Sequence, residues 1–307
     1  MRGLLRLRTL IVLAVVLIVG YGAVSWVFSN KLLAAQARPL GKVDPTQYGL
    51  PKPTVVEVPG NGVKLASWYF PNPRKERCAV IMLHGFGGAR GEVVGAAPLF
   101  WDRGCDLLMY DSRGHGDSSP ALLTFGPHEK DDLVAAIAWL SRRTKLPDSR
   151  IGLIGWSYGA AVSIQAAAKV PGIAFVIADS SYSSLEDIAR VQADNQFGAW
   201  AKVFVPGALF IAGKRAGFDP GNASPLKAIA AVKAPVLLIH SRQDGFTPYQ
   251  HSEKIYAASD KTRTRLVIPA WSAPHAESFL KNPAGYTMVV DRFIKEFRLP
   301  PGPRKGA

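Results

Sequence analysis

Short apolar runs alternate with stretches of helical periodicity over most of the chain. Within residues 130–143, for example, Leu133, Ile137 and Leu140 recur at helical spacing. The short runs are mostly apolar throughout rather than alternating with polar residues, which is typical of strands buried on both faces. The sequence therefore predicts an α/β fold, with a mostly parallel central sheet covered by helices on both faces. The predicted strands are Ala79–Leu83, Asp106–Tyr110, Ile151–Gly155, Ala174–Ala178, Val236–Ile239 and Arg265–Ile268.

Two segments depart from this alternation. Thr54–Val58 and Lys64–Tyr69 flank the turn Gly60-Asn61-Gly62, and an Asn-Gly pair between two strands predicts a hairpin. Residues 185–224 are longer than an ordinary connection between strands and contain several aromatic residues. We predict a small helical cap over the site there, with an ordinary helix and an irregular connection as the alternative.

The first thirty residues contain a membrane-spanning pattern. Leu10–Phe28 is a run of 19 residues without a charge. At about 1.5 Å per helical residue it matches the roughly 30 Å hydrocarbon core of a bilayer. Arg2, Arg6 and Arg8 precede the run and favour a cytoplasmic N-terminus, although two basic residues that follow it weaken the asymmetry. We predict a single-pass N-terminal transmembrane helix with the bulk of the chain outside the cytoplasm.

A cleaved signal peptide is the alternative for this segment, with Ala35-Gln36-Ala37 as the cleavage site. The apolar core of a signal peptide is usually about 7–15 residues long, and this run is longer. We therefore expect an uncleaved anchor within residues 1–30, followed by a Pro-rich spacer over 31–53. The remaining residues divide into an α/β domain over 54–299 and a short tail over 300–307.

The charge balance of the chain agrees with a membrane partner. Thirty-seven Lys and Arg residues against 23 Asp and Glu give a formal net charge of +14, which suits either nucleic acid or an anionic membrane surface. The basic residues are scattered, and no nucleic-acid-binding signature accompanies them. We therefore expect a membrane and no nucleic acid as the partner, and the oligomeric state stays open.

The two cysteines, Cys78 and Cys105, each directly precede a predicted strand. Their spacing matches no metal site, and no Cys-x-x-Cys or His/Cys cluster occurs in the sequence. One disulfide and two buried free thiols are both open readings. The sequence predicts neither a metal nor another cofactor.

The strongest chemical signal is Gly155-Trp156-Ser157-Tyr158-Gly159. A Gly-x-Ser-x-Gly motif between a strand and a helix is the pattern of a nucleophile elbow, in which a strained turn projects the serine hydroxyl above the sheet. Side chains at the two glycine positions would collide with neighbouring elements. The motif follows the predicted strand and opens an Ala-rich helix, so we assign Ser157 as the nucleophile.

A serine hydroxyl needs a base to take its proton. Of the six histidines, His275 lies on a loop after the last predicted strand and before the C-terminal helical pattern, where an imidazole can reach the end of the sheet. His84 precedes the glycines of a loop and is expected to shape it, whereas His240 lies at a strand end, where a buried polar role is the default. We assign His275 as the base.

The acid that orients the histidine is expected between Ser157 and His275 in the sequence. Asp244 follows the strand Val236–Ile239 in a loop whose turn formers, Gly245 and Pro248, could point it toward the histidine. Asp179 at the end of the preceding strand is the competitor. We assign Asp244, whose role would be to fix the imidazole tautomer and stabilise the imidazolium.

Acyl transfer also needs donors for the developing oxyanion. The loop His84-Gly85-Phe86-Gly87-Gly88 directly follows the strand Ala79–Leu83, and its glycines free the backbone N–H groups to point inward. We assign the oxyanion hole to the backbone N–H groups of Phe86 and Tyr158. A phosphate-binding loop is excluded because no Gly-Lys-Ser/Thr follows and the spacing is not Gly-x-Gly-x-x-Gly.

With these motifs in the order Ser, Asp, His, the chain from about Lys64 to Phe297 resembles the α/β-hydrolase superfamily. The segments Tyr110–Ser118 and Ser241–Asp244 are similar to those of its dienelactone-hydrolase-like and prolyl-oligopeptidase-like branch, which includes single-pass membrane hydrolases. The resemblance implies an α/β-hydrolase fold and esterase, thioesterase or peptidase activity through an acyl-enzyme. A serine at position 157, rather than an aspartate, argues against a haloalkane dehalogenase or an epoxide hydrolase.

Three functions follow as hypotheses. The first is a serine hydrolase that cleaves small-molecule or lipid carboxylic esters or thioesters at a membrane surface. The second is an extracytoplasmic peptidase of the aminopeptidase kind on the same machinery. The third is a catalytically silent, tethered binding protein, against which the complete set of catalytic parts speaks. The acyl-chain length of the substrate cannot be read from the sequence.

Overall fold

The structure is a computed structural model that describes residues 2–34, 41, 43–74 and 77–300. The possible cleavage site Ala35-Gln36-Ala37 and residues 301–307 of the predicted tail lie outside the described residues.

A single eight-stranded sheet organises the described chain, with the strand order β1-β2-β4-β3-β5-β6-β7-β8. The antiparallel β2 pairs with both β1 and β4, and all the other neighbours are parallel. The predicted hairpin and the predicted parallel sheet are therefore confirmed. The strands are β1 (Thr54–Pro59), β2 (Lys64–Phe70), β3 (Ala79–Leu83), β4 (Asp106–Tyr110), β5 (Ile151–Trp156), β6 (Phe175–Asp179), β7 (Val236–Ile239) and β8 (Thr264–Val267).

Helices connect the strands and precede and follow the sheet. The α-helices are α1 (Arg2–Leu33), α2 (Pro98–Trp101), α3 (Glu129–Thr144), α4 (Tyr158–Ala167), α5 (Leu185–Phe197), α6 (Val205–Ala216), α7 (Pro225–Ala228), α8 (Gln250–Ala258), α9 (Ser278–Lys281) and α10 (Pro283–Glu296). Short 3₁₀ helices cover Pro45–Tyr48, Arg90–Ala96, Asp148–Arg150, Ala199–Phe204, Pro220–Asn222 and Ile229–Ala231.

Both faces of the sheet are buried. In β3, Ala79, Ile81 and Leu83 belong to one apolar cluster, while Val80 and Met82 belong to a second. The first cluster is completed by α3, α4, α5 and α6, and the second by α2 and α10. Because successive side chains of a strand point to opposite faces, this division shows helices packed on each side, as predicted.

The two cysteines form a disulfide between Cys78 and Cys105. These residues directly precede the parallel strands β3 and β4, whereas Ser157 directly follows the parallel strand β5. The disulfide therefore links the amino-terminal ends of β3 and β4, at the opposite end of the parallel strands from Ser157.

The N-terminal helix α1 is longer than the predicted run Leu10–Phe28 and consists of two unlike parts. By length and composition its residues Arg6–Leu33 could cross a membrane. The large apolar side chains from Leu10 to Val19 are 52–70% exposed, whereas Ser25, Ser29 and Leu33 are at most 1% exposed. The second part of the helix is thus packed against the domain.

The described part of the Pro-rich stretch, residues 41 and 43–53, also contacts the domain. Pro45 and Leu50 are buried, and Leu50 and Val43 join the apolar cluster of α2 and α10. This stretch lies on the domain, which differs from the expectation of a spacer that separates the domain from the membrane segment.

Candidate active site

The turn after β5 places Ser157 at the beginning of α4. Its backbone has φ 53° and ψ −113°, in a region that L-residues rarely adopt. A Cβ at Gly155 would lie 2.4 Å from the Gly159 backbone, and one at Gly159 would lie 2.6 Å from the carbonyl oxygens of Leu83 and His84. Both positions of the motif therefore have no room for a side chain, and the tight packing holds the strained turn in place.

The structure brings together the three side chains assigned from the sequence. His275 Nε2 lies 2.7 Å from Ser157 Oγ, and His275 Nδ1 lies 2.7 Å from Asp244 Oδ2. Because an ionised carboxylate can only accept, Nδ1 donates to Asp244 and Nε2 accepts from the serine hydroxyl. The ring of His275 also packs on Phe246, with 4.8 Å between the ring centroids. This arrangement can take a proton from Ser157 and hold the resulting positive charge.

Asp244 is held as a carboxylate by donors from several directions. Its Oδ1 accepts hydrogen bonds from the backbone N–H groups of Phe246 at 3.0 Å and Thr247 at 2.7 Å. His240 Nε2 lies 3.2 Å from Oδ2. Burial raises the pKa of Asp244, but the side chains of His240 and His275 and the Thr247 N–H together bring this pKa well below its usual range. The group opposite His275 Nδ1 is therefore negatively charged at neutral pH.

Asp179, the competing carboxylate, lies at the end of β6 in a different environment. It is fully buried, and its Oδ1 accepts a hydrogen bond of 2.9 Å from Ser180 Oγ. Burial raises the pKa of Asp179 to about 6. His275 Nδ1 makes its hydrogen bond to Asp244. The structure therefore pairs the histidine with the carboxylate whose loop contains the turn-forming residues.

Two backbone N–H groups beside Ser157 have no acceptor among the described residues, those of Phe86 and Tyr158. Tyr158 opens α4, and Phe86 belongs to the glycine-rich loop, where a Cβ at Gly85 would lie only 3.7 Å from Ser157 Cβ. The next N–H of the loop, at Gly87, already donates to His115 Nε2 at 3.1 Å. The two groups assigned from the sequence are thus free to bind an anionic oxygen.

A protein-family model described as the alpha/beta hydrolase fold matches residues 79–217, which contain the glycine-rich loop and Ser157. The solved structure of an esterase from Pyrococcus furiosus superposes with a TM-score of 0.69 and 26% sequence identity, over 85% of this chain and 97% of the esterase. The chain has the fold of the α/β-hydrolase superfamily. The predicted fold class is confirmed.

Two further proteins are similar to this chain. The uncharacterized protein YqkD of Bacillus subtilis is 32% identical over 200 residues, which are 64% of this chain and 64% of YqkD, so the match spans less than two thirds of that relative. An acylaminoacyl peptidase of Pyrococcus horikoshii superposes with a TM-score of 0.61 and 19% identity, over 85% of this chain and 44% of the peptidase. At that identity the likeness concerns the fold alone.

Two histidines hold the glycine-rich loop in place. His84 Nε2 accepts from the Ser112 N–H at 2.9 Å, so its Nδ1 carries the proton and donates to the Gly85 carbonyl at 2.7 Å. His115 accepts from Gly87 in the same way. Burial lowers the pKa of His84 to about 3, which keeps the ring neutral and able to accept. Both rings therefore position the loop.

The segment Tyr110–Ser118, on which the resemblance partly rests, has a structural role. Asp111 Oδ1 accepts from the Arg90 backbone N–H at 2.6 Å, and the Arg90 guanidinium forms a buried ion pair with the same carboxylate. Arg113 pairs with Asp132 at 2.6 Å. These bonds fix the loops after β3 and β4.

An apolar pocket of about 170 Å³ lies beside Ser157. Its walls come from the glycine-rich loop, from α5 and α6, and from the last turns of α1. The lining side chains include Phe28, Leu32, Phe86, Phe125, Tyr182 and Ile188.

Sequence reasoning missed two features of the site. One is His240, which was assigned only a buried polar role and lies beside Asp244 while donating to the Thr247 carbonyl at 2.7 Å. The only signal for it is its place four residues before the acid. The other is the contribution of α1 to the pocket, for which the sequence carries no local motif.

Proposed function

We propose that this protein is a serine hydrolase that cleaves carboxylic esters or thioesters through an acyl-enzyme. The observation that carries the proposal is the chain of two 2.7 Å contacts from Ser157 through His275 to Asp244. The esterase of Pyrococcus furiosus, matched over 97% of its length, supports ester chemistry.

The reaction uses His275 twice. Its Nε2 takes the proton of Ser157 Oγ as this oxygen attacks the carbonyl carbon, while Asp244 stabilises the imidazolium. The N–H groups of Phe86 and Tyr158 bind the oxyanion of the tetrahedral intermediate. The imidazolium then gives its proton to the leaving alcohol or thiol as the bond breaks. His275 Nε2 then takes a proton from water as the water oxygen attacks the acyl carbon; the bond to Ser157 Oγ breaks, the acid leaves, and the imidazolium returns the proton to the serine.

The test is labelling of the full chain in detergent with a fluorophosphonate probe, followed by mass analysis of the labelled peptide. We expect the label on Ser157 in the folded protein and none after heat denaturation. Label on another residue would contradict the assignment.

Turnover then separates the reaction classes. We expect p-nitrophenyl esters to be cleaved faster than aminoacyl anilides. The reverse preference would identify a peptidase, and the absence of both labelling and turnover would identify a binding protein.

The proposal includes the membrane. With Arg2, Arg6 and Arg8 in the cytoplasm, α1 spans the bilayer once and the domain lies on the outer side. The Cys78–Cys105 disulfide supports this side, because disulfides persist in oxidising compartments. Protease added to intact cells should digest the domain while Met1 stays attached to the anchor. A mature N-terminus near Arg38, or a protected domain, would overturn the topology.

A further inference from the structure

The second half of α1 packs against α6, which lies within residues 185–224, the segment predicted as the cap. Gly207 of α6 faces this helix so closely that a Cβ there would lie 2.4 Å from Ser25 Oγ and 2.8 Å from the Tyr21 ring. The Tyr21 hydroxyl accepts from the Gly207 N–H and donates to the Val203 carbonyl, both at 3.2 Å. Small residues that let two helices approach in this way are typical of fixed helix contacts.

Further contacts continue toward the end of α1. Phe28 stacks on Phe197 of α5 with 5.2 Å between the ring centroids. Arg215 Nη1 donates to Ser29 Oγ at 3.0 Å, and the Leu33 carbonyl accepts from the Leu123 N–H at 3.0 Å. The helix is therefore a fixed part of the enzyme over three turns.

These contacts place the end of α1 in the wall of the catalytic pocket. Phe28, Lys31 and Leu32 line the same apolar pocket as Ser157. Lys31 and Phe197 are also exposed, so the pocket reaches the surface beside the helix. In other proteins a cavity of about 150 Å³ holds a benzene molecule. At about 170 Å³ this pocket has room for several carbons of an acyl chain.

The position at which the cap contacts α1 indicates how deeply the cap lies in the bilayer when α1 spans it. The cap contacts Tyr21, which lies seven residues before the end of the apolar run at Phe28. At about 1.5 Å per residue this difference is roughly 10 Å along the helix. When α1 spans the bilayer, the cap therefore enters the interfacial layer, where amphipathic segments bury their apolar faces by about 5–10 Å. The cap exposes large apolar side chains in this region: Trp200 at 64%, Val203 at 60% and Phe210 at 65%.

We infer that the end of α1 is a wall of the acyl-binding pocket, and that the enzyme draws the acyl chains of membrane lipid esters into this pocket from the leaflet beside the helix. This inference rests on the proposed serine-hydrolase function. A pocket that ends at the membrane helix gives an acyl chain a path from the bilayer to Ser157 without full exposure to water. The basic residue Lys31 at its rim suits a lipid head group that carries a phosphate or carboxylate.

The first test compares two substitutions on the same helix of the full chain. Leu32→Trp fills the pocket, whereas Val27→Trp adds the same side chain at a position that is 53% exposed. The probes are p-nitrophenyl esters from acetate to decanoate in detergent. Each substrate methylene bound in an apolar pocket raises kcat/KM by about tenfold or more. Leu32→Trp should therefore lower kcat/KM on hexanoate and longer esters by at least about tenfold. Its kcat/KM on acetate should fall by a smaller factor than its kcat/KM on hexanoate, because the acetyl group occupies less of the pocket. Val27→Trp should keep the wild-type profile.

The outcomes separate this inference from the proposed function. Absence of fluorophosphonate labelling and of acetate turnover in the wild type would refute the function itself. Normal labelling with a Leu32→Trp profile equal to that of Val27→Trp would refute the pocket wall alone. If Leu32→Trp does not fold, Phe28→Ala decides the question. It removes a lining ring and should move the preference toward longer esters, and an unchanged profile would refute the wall.

The second test asks where the acyl chain comes from. The double variant Trp200→Ser, Phe210→Ser should lose about tenfold or more in turnover of dioleoylphosphatidylglycerol in phosphatidylcholine vesicles, because the cap then binds the membrane surface less tightly. Its turnover of dissolved p-nitrophenyl butyrate should be unchanged. The control is Val55→Ser, which removes an apolar side chain that is 72% exposed on β1. Equal turnover of vesicle substrate by the wild type and the double variant would show that the substrate is taken from solution.

Discussion

Two regions of the candidate active site are assembled from the chain in different ways. One is the set of carboxyl ends of the parallel strands, called the catalytic edge, and the other is the group of helices packed over it, called the roof. The edge contains Ser157, Asp244 and His275, which lie one, five and eight residues beyond the ends of parallel strands. The roof consists of α1, α5 and α6, and its contacts join residues as far apart as Tyr21 and Gly207. Strand ends meet at one edge in any sheet of this topology, so the fold itself gathers the chemistry. The roof depends on which segments pack over that edge, and its role in substrate selection belongs to the proposal.

The largest effect should come from removing the hydroxyl at the edge while leaving the roof unchanged. Ser157→Ala should lower ester turnover by roughly 10⁶-fold, as in a triad enzyme whose nucleophile is lost. Its binding of a non-hydrolysable long-chain ester analogue should persist, because the apolar walls remain. Steady-state kinetics and calorimetric binding measure the two quantities. The control is Ser163→Ala, which removes a hydroxyl that only bonds the Gly159 carbonyl in α4. Wild-type turnover by Ser157→Ala would place the chemistry elsewhere.

A smaller effect should distinguish the two carboxylates of the edge. Asp244→Asn should lower turnover on the order of 10⁴-fold, because an amide at this position favours the wrong tautomer of His275. Asp179→Asn should lower turnover by less than about tenfold, since its carboxylate makes its hydrogen bond to Ser180 rather than to His275. Kinetics of both variants on one ester measure the ratio. Reversed effects would assign the acid to the end of β6 and break the pairing seen in the structure.

The same contrast explains how much could be predicted from the sequence. The elbow at Ser157 was predictable because its glycines answer a local steric demand, which the close approaches at Gly155 and Gly159 now explain. Asp244 could be preferred over Asp179 because its loop contains turn formers that aim the side chain. The strands were predictable because burial on both faces leaves a continuous apolar run.

The roof could not be predicted, because its parts are separated widely in sequence and have other readings. The apolar run of α1 indicates a membrane span, and nothing in that pattern marks Phe28 or Leu32 as pocket residues. Gly207 shows its importance only beside Tyr21, a contact between positions 186 residues apart. His240 resembled any buried polar residue until the loop of Asp244 was seen around it. Long-range packing therefore decided these features.

Asp179 lies at the same end of the sheet and is expected to lower stability at neutral pH, although it takes no part in the proposed reaction. It is completely buried, and no basic side chain forms an ion pair with it among the described residues. Burial therefore favours its neutral form, and its folded-state pKa of about 6 lies above the ordinary value of 3.8.

The smallest effect should appear in the pH dependence of stability. Between pH 4 and about 6 the folded protein keeps the Asp179 proton that the unfolded chain has lost, so the contribution of this residue to the free energy of unfolding falls as the pH rises. The loss should reach on the order of 2–3 kcal/mol and stay constant above that window. Asp179→Asn has no titrating group at this position. The difference between its free energy of unfolding and that of the wild type should therefore increase in favour of the variant from pH 4 to 6. Denaturant titrations from pH 4 to 8 measure the difference, which cancels all other titrating groups. Parallel curves for the two proteins would mean that Asp179 is ionised in the folded state and that an unseen partner stabilises its charge at the edge.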